Sequence, residues 1–383
     1  MKSPEEERRE RWRLVLGEPA QEPLGVRLGD NERRMDRTLE ALYDADPKAG
    51  REASMPHVSR WLGDIREYFP TPVVRVMQGD AIARLGLLKM LHQPEILETL
   101  EPDVELVATL LSLGRTLPQK TKETARRVVR KVVDDLERRL RAPTERAVRG
   151  ALSRASRTRR PRTAEIDWDR TLRANLGNYL PERKSVVVDT LVGHGRKRSS
   201  LRDVVLCIDQ SGSMATSVVY SSIFGAVLAS LRAVTTRMVV FDTAVADLSE
   251  HLSDPVELLF GTQLGGGTDI AKALAYCQQV ITRPAQTILV LITDLFEGGD
   301  AQRMLQHAAA LVHGGVTVIC LLALNDQGTP SHDPQHAARF AALGIPTFAC
   351  TPDLFPELMA AALQRQDLTA WAARREIQVA RPG

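Results

Sequence analysis

At 383 residues the chain is long enough for about two domains, each with a buried core of its own. Its 51 Lys and Arg against 48 Asp and Glu leave a formal charge of +3, which excludes nucleic-acid or membrane-surface binding by bulk electrostatics and makes any charge argument local. The opening residues are charged where a secretory signal needs an apolar core, and no run of about 18 apolar residues follows, so the expectation is a cytoplasmic chain.

Apolar residues recur at three- and four-residue spacing over 11–16, 35–43, 58–68, 82–91, 104–113 and 121–140, which predicts a helical domain over residues 1–152. Pro70, Pro72, Pro94, Pro102, Pro118 and Pro143 fall between these segments, where a residue without a backbone donor ends one helix and lets the chain turn. Residues 138–163 then hold ten arginines against the single acid Glu145, a local charge of +9. With few apolar anchors after Leu152, residues 153–200 read as a basic linker with a lead-in strand at 186–188. Within it Arg157, Arg159, Arg160 and Arg162 are the candidate contacts for an acidic partner or RNA.

From Arg202 the period changes. Short apolar runs at 204–208, 238–241, 288–292, 316–322 and 345–349 alternate with helical stretches at 218–233, 270–281, 301–312, 334–343 and 352–363. Right-handed crossovers turn that succession into a doubly wound, mainly parallel α/β sheet of Rossmann-like type over residues 201–383. Cys207, Cys277, Cys320 and Cys350 sit in apolar stretches without CxxC spacing and read as reduced core residues.

Sites in such sheets form at the carboxyl ends of the strands. The first strand ends in Asp209-Gln210-Ser211-Gly212-Ser213, one carboxylate and two hydroxyls in a tight loop, a cluster of hard oxygens suited to Mg²⁺. The loop Gly265-Gly266-Gly267-Thr268-Asp269 delivers another hydroxyl to that edge, and the strand at 288–292 runs into Thr293-Asp294. Asp242 and Asp269 are candidates to orient hydroxyls or waters behind the ligands, Asp269 reading equally as a helix-start acid, and Glu297, followed by two glycines, either shapes a rim that a partner meets or belongs to a plain loop. A nucleophilic serine is not expected, because the loop lacks the first glycine of a G-x-S-x-G elbow. His332 and His336 have metal-pair spacing, but Pro330 and Pro334 interrupt the helix that would align them, so they read as exposed loop residues. No phosphate-binding G-x-x-x-x-G-K-[ST] loop occurs, so the chain is not expected to hydrolyse ATP.

Asp209-x-Ser211-x-Ser213, Thr268 and Asp294 together resemble the metal ion-dependent adhesion site of von Willebrand factor A (VWA) domains. The resemblance implies that these five residues hold Mg²⁺ or Mn²⁺ directly or through water, with one coordination position open to a partner's carboxylate. Arg11-Trp12-Arg13-Leu14, Trp61-Leu62-Gly63-Asp64-Ile65-Arg66 and Asp294-Leu295-Phe296-Glu297-Gly298-Gly299 extend the likeness to the bacterial CoxE-like VWA proteins, which are encoded with AAA+ ATPases of the MoxR type. That implies a non-enzymatic adaptor linking a client protein to its ATPase during assembly or remodelling. The alternative is a Ro-like RNA-binding protein that uses its helical domain and arginine-rich segment.

Overall fold

The computed structural model describes residues 4–43, 55–84, 91–114, 116–155, 157–158, 163, 166–194, 202–261, 266–324 and 331–382. The chain forms two compact units, residues 1–132 and 133–383.

The first unit is helical: α1 (Pro4–Leu16), α2 (Gln21–Leu24), α3 (Asp30–Tyr43), α4 (Met55–Tyr68), α5 (Thr71–Arg84), α6 (Pro94–Thr99), α7 (Val104–Ser112) and the first turns of α8 (Gln119–Ala155). Leu42, Leu62, Ile65, Met77, Leu97 and Leu110 are fully buried in it. Arg13 is also buried, and Asp36 takes both ends of its guanidinium at 3.0 and 3.1 Å, so the charge is paired where it leaves water. The first residues of the helix expected over 82–91 belong to α5, which is described as far as Arg84. Pro72 sits in its first turn, where a missing N–H costs no helical hydrogen bond. Residues 85–90 lie outside the described residues.

Pro143 does not end a helix either; it lies inside the 37-residue α8. The buried Thr144 hydroxyl donates to the Leu140 carbonyl at 2.7 Å, which gives a partner to an acceptor in the turn that the proline ring disturbs. Four of the ten arginines are ion-paired along the same helix. Asp135 pairs with Arg138 and Arg139, Glu137 with Arg141, and Glu145 with Arg141 and Arg149.

In the second unit β1 (Arg157–Thr158) is followed by α9 (Trp168–Ala174), the hairpin of β2 (Tyr179–Leu180) and β3 (Ser185–Val186), and β4 (Gly193–His194), which pairs antiparallel with β1. Within the stretch read as linker, the segment around α9 is therefore folded. Buried Asn175 ties it together, donating to the carbonyls of Thr171 and Thr190 and accepting from the amides of Asp189 and Thr190.

The main sheet runs β5 (Arg202–Asp209), β6 (Val234–Phe241), β7 (Val245–Asp247), β8 (Thr287–Ile292), β9 (Thr317–Leu324) and β10 (Thr347–Cys350) in the spatial order β10-β9-β8-β5-β6-β7. All neighbours are parallel except β6 and β7. Strand β7 is a short antiparallel edge that the sequence pattern does not show. The connecting helices are α10 (Ala215–Ala229), α11 (Pro255–Gly261), α12 (Ile270–Val280), α13 (Ala301–His313), α14 (Pro334–Ala342), α15 (Phe355–Leu363) and α16 (Leu368–Ala373). Val205, Cys207, Leu289, Leu291, Val318 and Cys320 form one core with α12, α13 and α14. All four cysteines are buried and unbridged. The window Gly212–Ala229 is long and apolar enough to cross a membrane by composition, yet 67% of it is buried, and α10 packs on β5, β6 and β9. Strand order reverses about β5, so the crevice at its carboxyl end is where this topology leaves room for a ligand.

Candidate metal centre

Asp209 is the last residue of β5, opposite Phe241 of β6, and β8 ends beside it at Ile292, so Thr293 and Asp294 leave the sheet next to Asp209. The Asp209 carboxylate is fully buried. Its Oδ1 accepts from the Ser211 amide at 2.8 Å and its Oδ2 from the Thr293 hydroxyl at 2.7 Å. Ser213 Oγ donates to Asp294 Oδ2 at 2.7 Å and lies 3.2 Å from Ser211 Oγ. Two short loops from neighbouring strands thus meet as a chain of carboxylate and hydroxyl oxygens. Burial raises the Asp209 pKa to about 6, the hydrogen bonds from Thr293 and Ser211 pull against that, and the nearby Asp294 charge pushes it further up.

Thr268 approaches from a third loop. It is buried, and its carbonyl accepts from the Gly298 amide at 2.8 Å, which ties the Thr268 backbone to the segment after Asp294. A Cβ at residue 298 would stand 2.9 Å from that carbonyl oxygen, so only glycine allows the approach. Among the described residues no hydrogen bond joins the Thr268 hydroxyl to the other four groups.

The remaining residues singled out in the sequence hold the surrounding loops. The Asp242 carboxylate accepts from the Ala244 amide and its carbonyl from the Asp269 amide, and a Cβ at residue 266 would stand 3.2 Å from Asp242 Oδ2. Asp242 therefore fixes where the glycine loop passes. Asp269 caps α12 by accepting from the Lys272 amide, and it pairs with the Lys272 ammonium at 3.1 Å. Glu297 reaches the same helix start, accepting from the Ile270 amide at 2.7 Å and from the Gly299 amide at 3.0 Å, while burial raises its pKa. Its carboxylate straps the Asp294 loop to α12. Arg157 lies in β1; Arg159, Arg160 and Arg162 fall outside the described residues.

His336 is not an exposed loop residue. Pro334 opens α14 instead of breaking it, and the half-buried His336 ring bonds the Leu295 carbonyl at 3.0 Å. Thr293 is the residue that the sequence reading passed over. It is fully buried, donates to Asp209 and accepts from the Leu295 amide at 3.2 Å, joining the two acidic loops. The available signal was a hydroxyl at the inner end of the otherwise apolar run 288–292.

Among the described residues no three His, Cys, Asp or Glu side chains are placed to share an ion. The candidate is therefore a carboxylate and hydroxyl site, and its all-oxygen donor set fits a hard divalent cation such as Mg²⁺ or Mn²⁺.

A doubly wound sheet with such an oxygen cluster at the switch point defines a VWA-type domain. The chain belongs to the CoxE-like family of VWA-domain proteins, whose pattern it matches over residues 136–359. It is also 34% identical over 365 residues to YehP of Escherichia coli strain K12, covering 93% of this chain and 96% of that one. Among solved structures it is similar to a von Willebrand factor type A protein from Catenulispora acidiphila, with 15% identity, 43% and 42% of the two chains covered, and a TM-score of 0.34. BatB from Bacteroides thetaiotaomicron gives 16% identity over 45% of this chain and 99% of that one, with a TM-score of 0.33. Likenesses of that size add nothing to the family match.

Proposed function

We propose that the second unit binds Mg²⁺ or Mn²⁺ through Asp209, Ser211, Ser213, Thr268 and Asp294, and that the protein uses this site to grip an acidic residue of a partner. The carrying observation is the joined chain of two carboxylates and two serine hydroxyls, built from separate loops at the switch point. A bound ion would supply an electrophilic position for the partner's carboxylate, because hydroxyl ligands neutralise little of its charge. Asp209 and Asp294 provide the negative charge, Ser211 and Ser213 the neutral oxygens, and Thr293 holds Asp209 in place. Nothing in this arrangement needs a nucleophile or general base, so the reading is of a binding module rather than an enzyme.

In this reading the protein is an adaptor, and its family membership supports a MoxR-type AAA+ ATPase as the source of work on the client. The test is retention of partners from the cell's own lysate in Mg²⁺ or EDTA, with wild type beside Asp209→Ala. Loss of the ATPase or client under both treatments supports metal bridging. Retention of every partner unchanged by either treatment sinks it.

A further inference from the structure

Four described non-glycine residues have positive φ: Lys184, Leu295, Arg365 and Glu376. Three are exposed; Leu295, at φ 62°, is fully buried. Leucine is strained in the left-handed region, and here the strain is held by a side chain locked in the core and a carbonyl that accepts from the Glu297 amide and bonds the His336 ring. The turn has one visible result. It keeps Leu295 inside and puts Phe296 outside, 48% exposed, the one phenylalanine of eight in the chain that is exposed.

Phe296 is also fixed at both ends. Its amide donates to Asp294 Oδ1 at 3.3 Å, and on its other side Glu297 and Gly298 are anchored to the Ile270 amide and the Thr268 carbonyl. An exposed aromatic thus stands on a hydrogen-bonded strap between two of the proposed metal ligands, with Gly298 and Gly299 just past Glu297. A pre-ordered aromatic loses little entropy on binding and suits an interface anchor. Asp294 and Phe296 are two residues apart, so their Cα atoms are separated by about 7 Å at most. An extended partner segment puts residues i and i+2 on one face about 7 Å apart; the left-handed turn at Leu295 brings Asp294 and Phe296 closer than that, so a residue two from a carboxylate held at the site is within side-chain reach of Phe296.

Resting on the metal-bridging reading above, we infer that Phe296 sets partner specificity: the site takes an extended acidic segment whose carboxylate is followed or preceded, two residues away, by an apolar side chain that packs on Phe296. The test is an array of glycine-rich peptides, each with one Asp and with Leu, Phe, Ser or Lys two residues to either side. The array is probed with the full chain in Mg²⁺ or EDTA, and Mn²⁺ affinity is measured separately as a check on the site. Wild type retains the Leu and Phe peptides about tenfold better than the Ser and Lys peptides in Mg²⁺, and retains none in EDTA. Phe296→Ser loses the preference, Phe296→Leu keeps most of it, and both bind Mn²⁺. Equal retention of all peptides by a wild type that binds Mn²⁺ overturns the inference alone, as does a preference that survives Phe296→Ser or EDTA. A wild type that binds no Mn²⁺ overturns the metal reading and this inference with it.

Discussion

Asp209 carries the tension of the site. Burial lifts its pKa to about 6, above the unfolded value of about 3.9, so between those pH values the folded, metal-free chain holds more protons than the unfolded one. Stability of the metal-free protein therefore falls as pH rises from about 4 to about 6, and the loss is complete above that. Asp209→Asn removes the buried charge. It is expected to raise metal-free stability at pH 7.5 by on the order of 1 kcal/mol while abolishing the stabilisation that Mg²⁺ gives, both read from denaturant unfolding. Because protons and metal compete for one carboxylate, Mn²⁺ affinity of the wild type should weaken as pH drops below about 6. Thr293→Val keeps the shape but leaves Asp209 Oδ2 without its hydroxyl donor; Mn²⁺ affinity should fall by about 10–100-fold, and Thr293→Ser should restore most of it. At this scale the sequence shows the acids and hydroxyls by spacing. It does not show Thr293, because a threonine hydroxyl declares its role only when the neighbouring strand brings Asp209 within reach.

Glycines and prolines decide how the elements meet, and here the sequence is less direct. Gly298 lets the Asp294 loop lie against the Thr268 carbonyl, so Gly298→Ala must push the two apart. That substitution touches no proposed ligand, yet Mn²⁺ titration should show a weakened site with the far-ultraviolet spectrum unchanged. Pro143 shows the opposite case, a helix breaker that the fold absorbs. The Thr144 hydroxyl supports the disturbed turn through the Leu140 carbonyl, so Thr144→Val should cost about 1–2 kcal/mol in urea unfolding. The parallel strands of the central sheet are legible because each carries a run of buried apolar residues, which in β6 is only its second half, 238–241. Strand β7 is not: its three residues are half-buried or exposed, and only pairing with β6 defines it. Pro72, expected to separate two helices, instead sits in the first turn of α5, because a proline can begin a helix as well as end one.

For the whole molecule, the change of hydrophobic period near Arg202 marks where the α/β sheet begins, and the family match runs over residues 136–359. The carboxyl edge of the sheet was inferable once the runs were recognised, and it is the edge from which Asp209, Ser213 and Asp294 project; the strand order that makes it a switch point is seen only in the fold. What the sequence could not supply is the inner face of that edge: the strained Leu295, the straps from Glu297 and His336, and the exposure of Phe296 are products of packing between distant segments. The central claim is that this edge holds a divalent ion. The most direct measurement is equilibrium binding of Mn²⁺ to the full chain at pH 7.5, followed by electron paramagnetic resonance, for wild type and Asp294→Ala. The account predicts one tightly held ion per wild-type chain, displaced by Mg²⁺, and none in the variant; a wild type that leaves Mn²⁺ free, or a variant that binds it equally well, would contradict it.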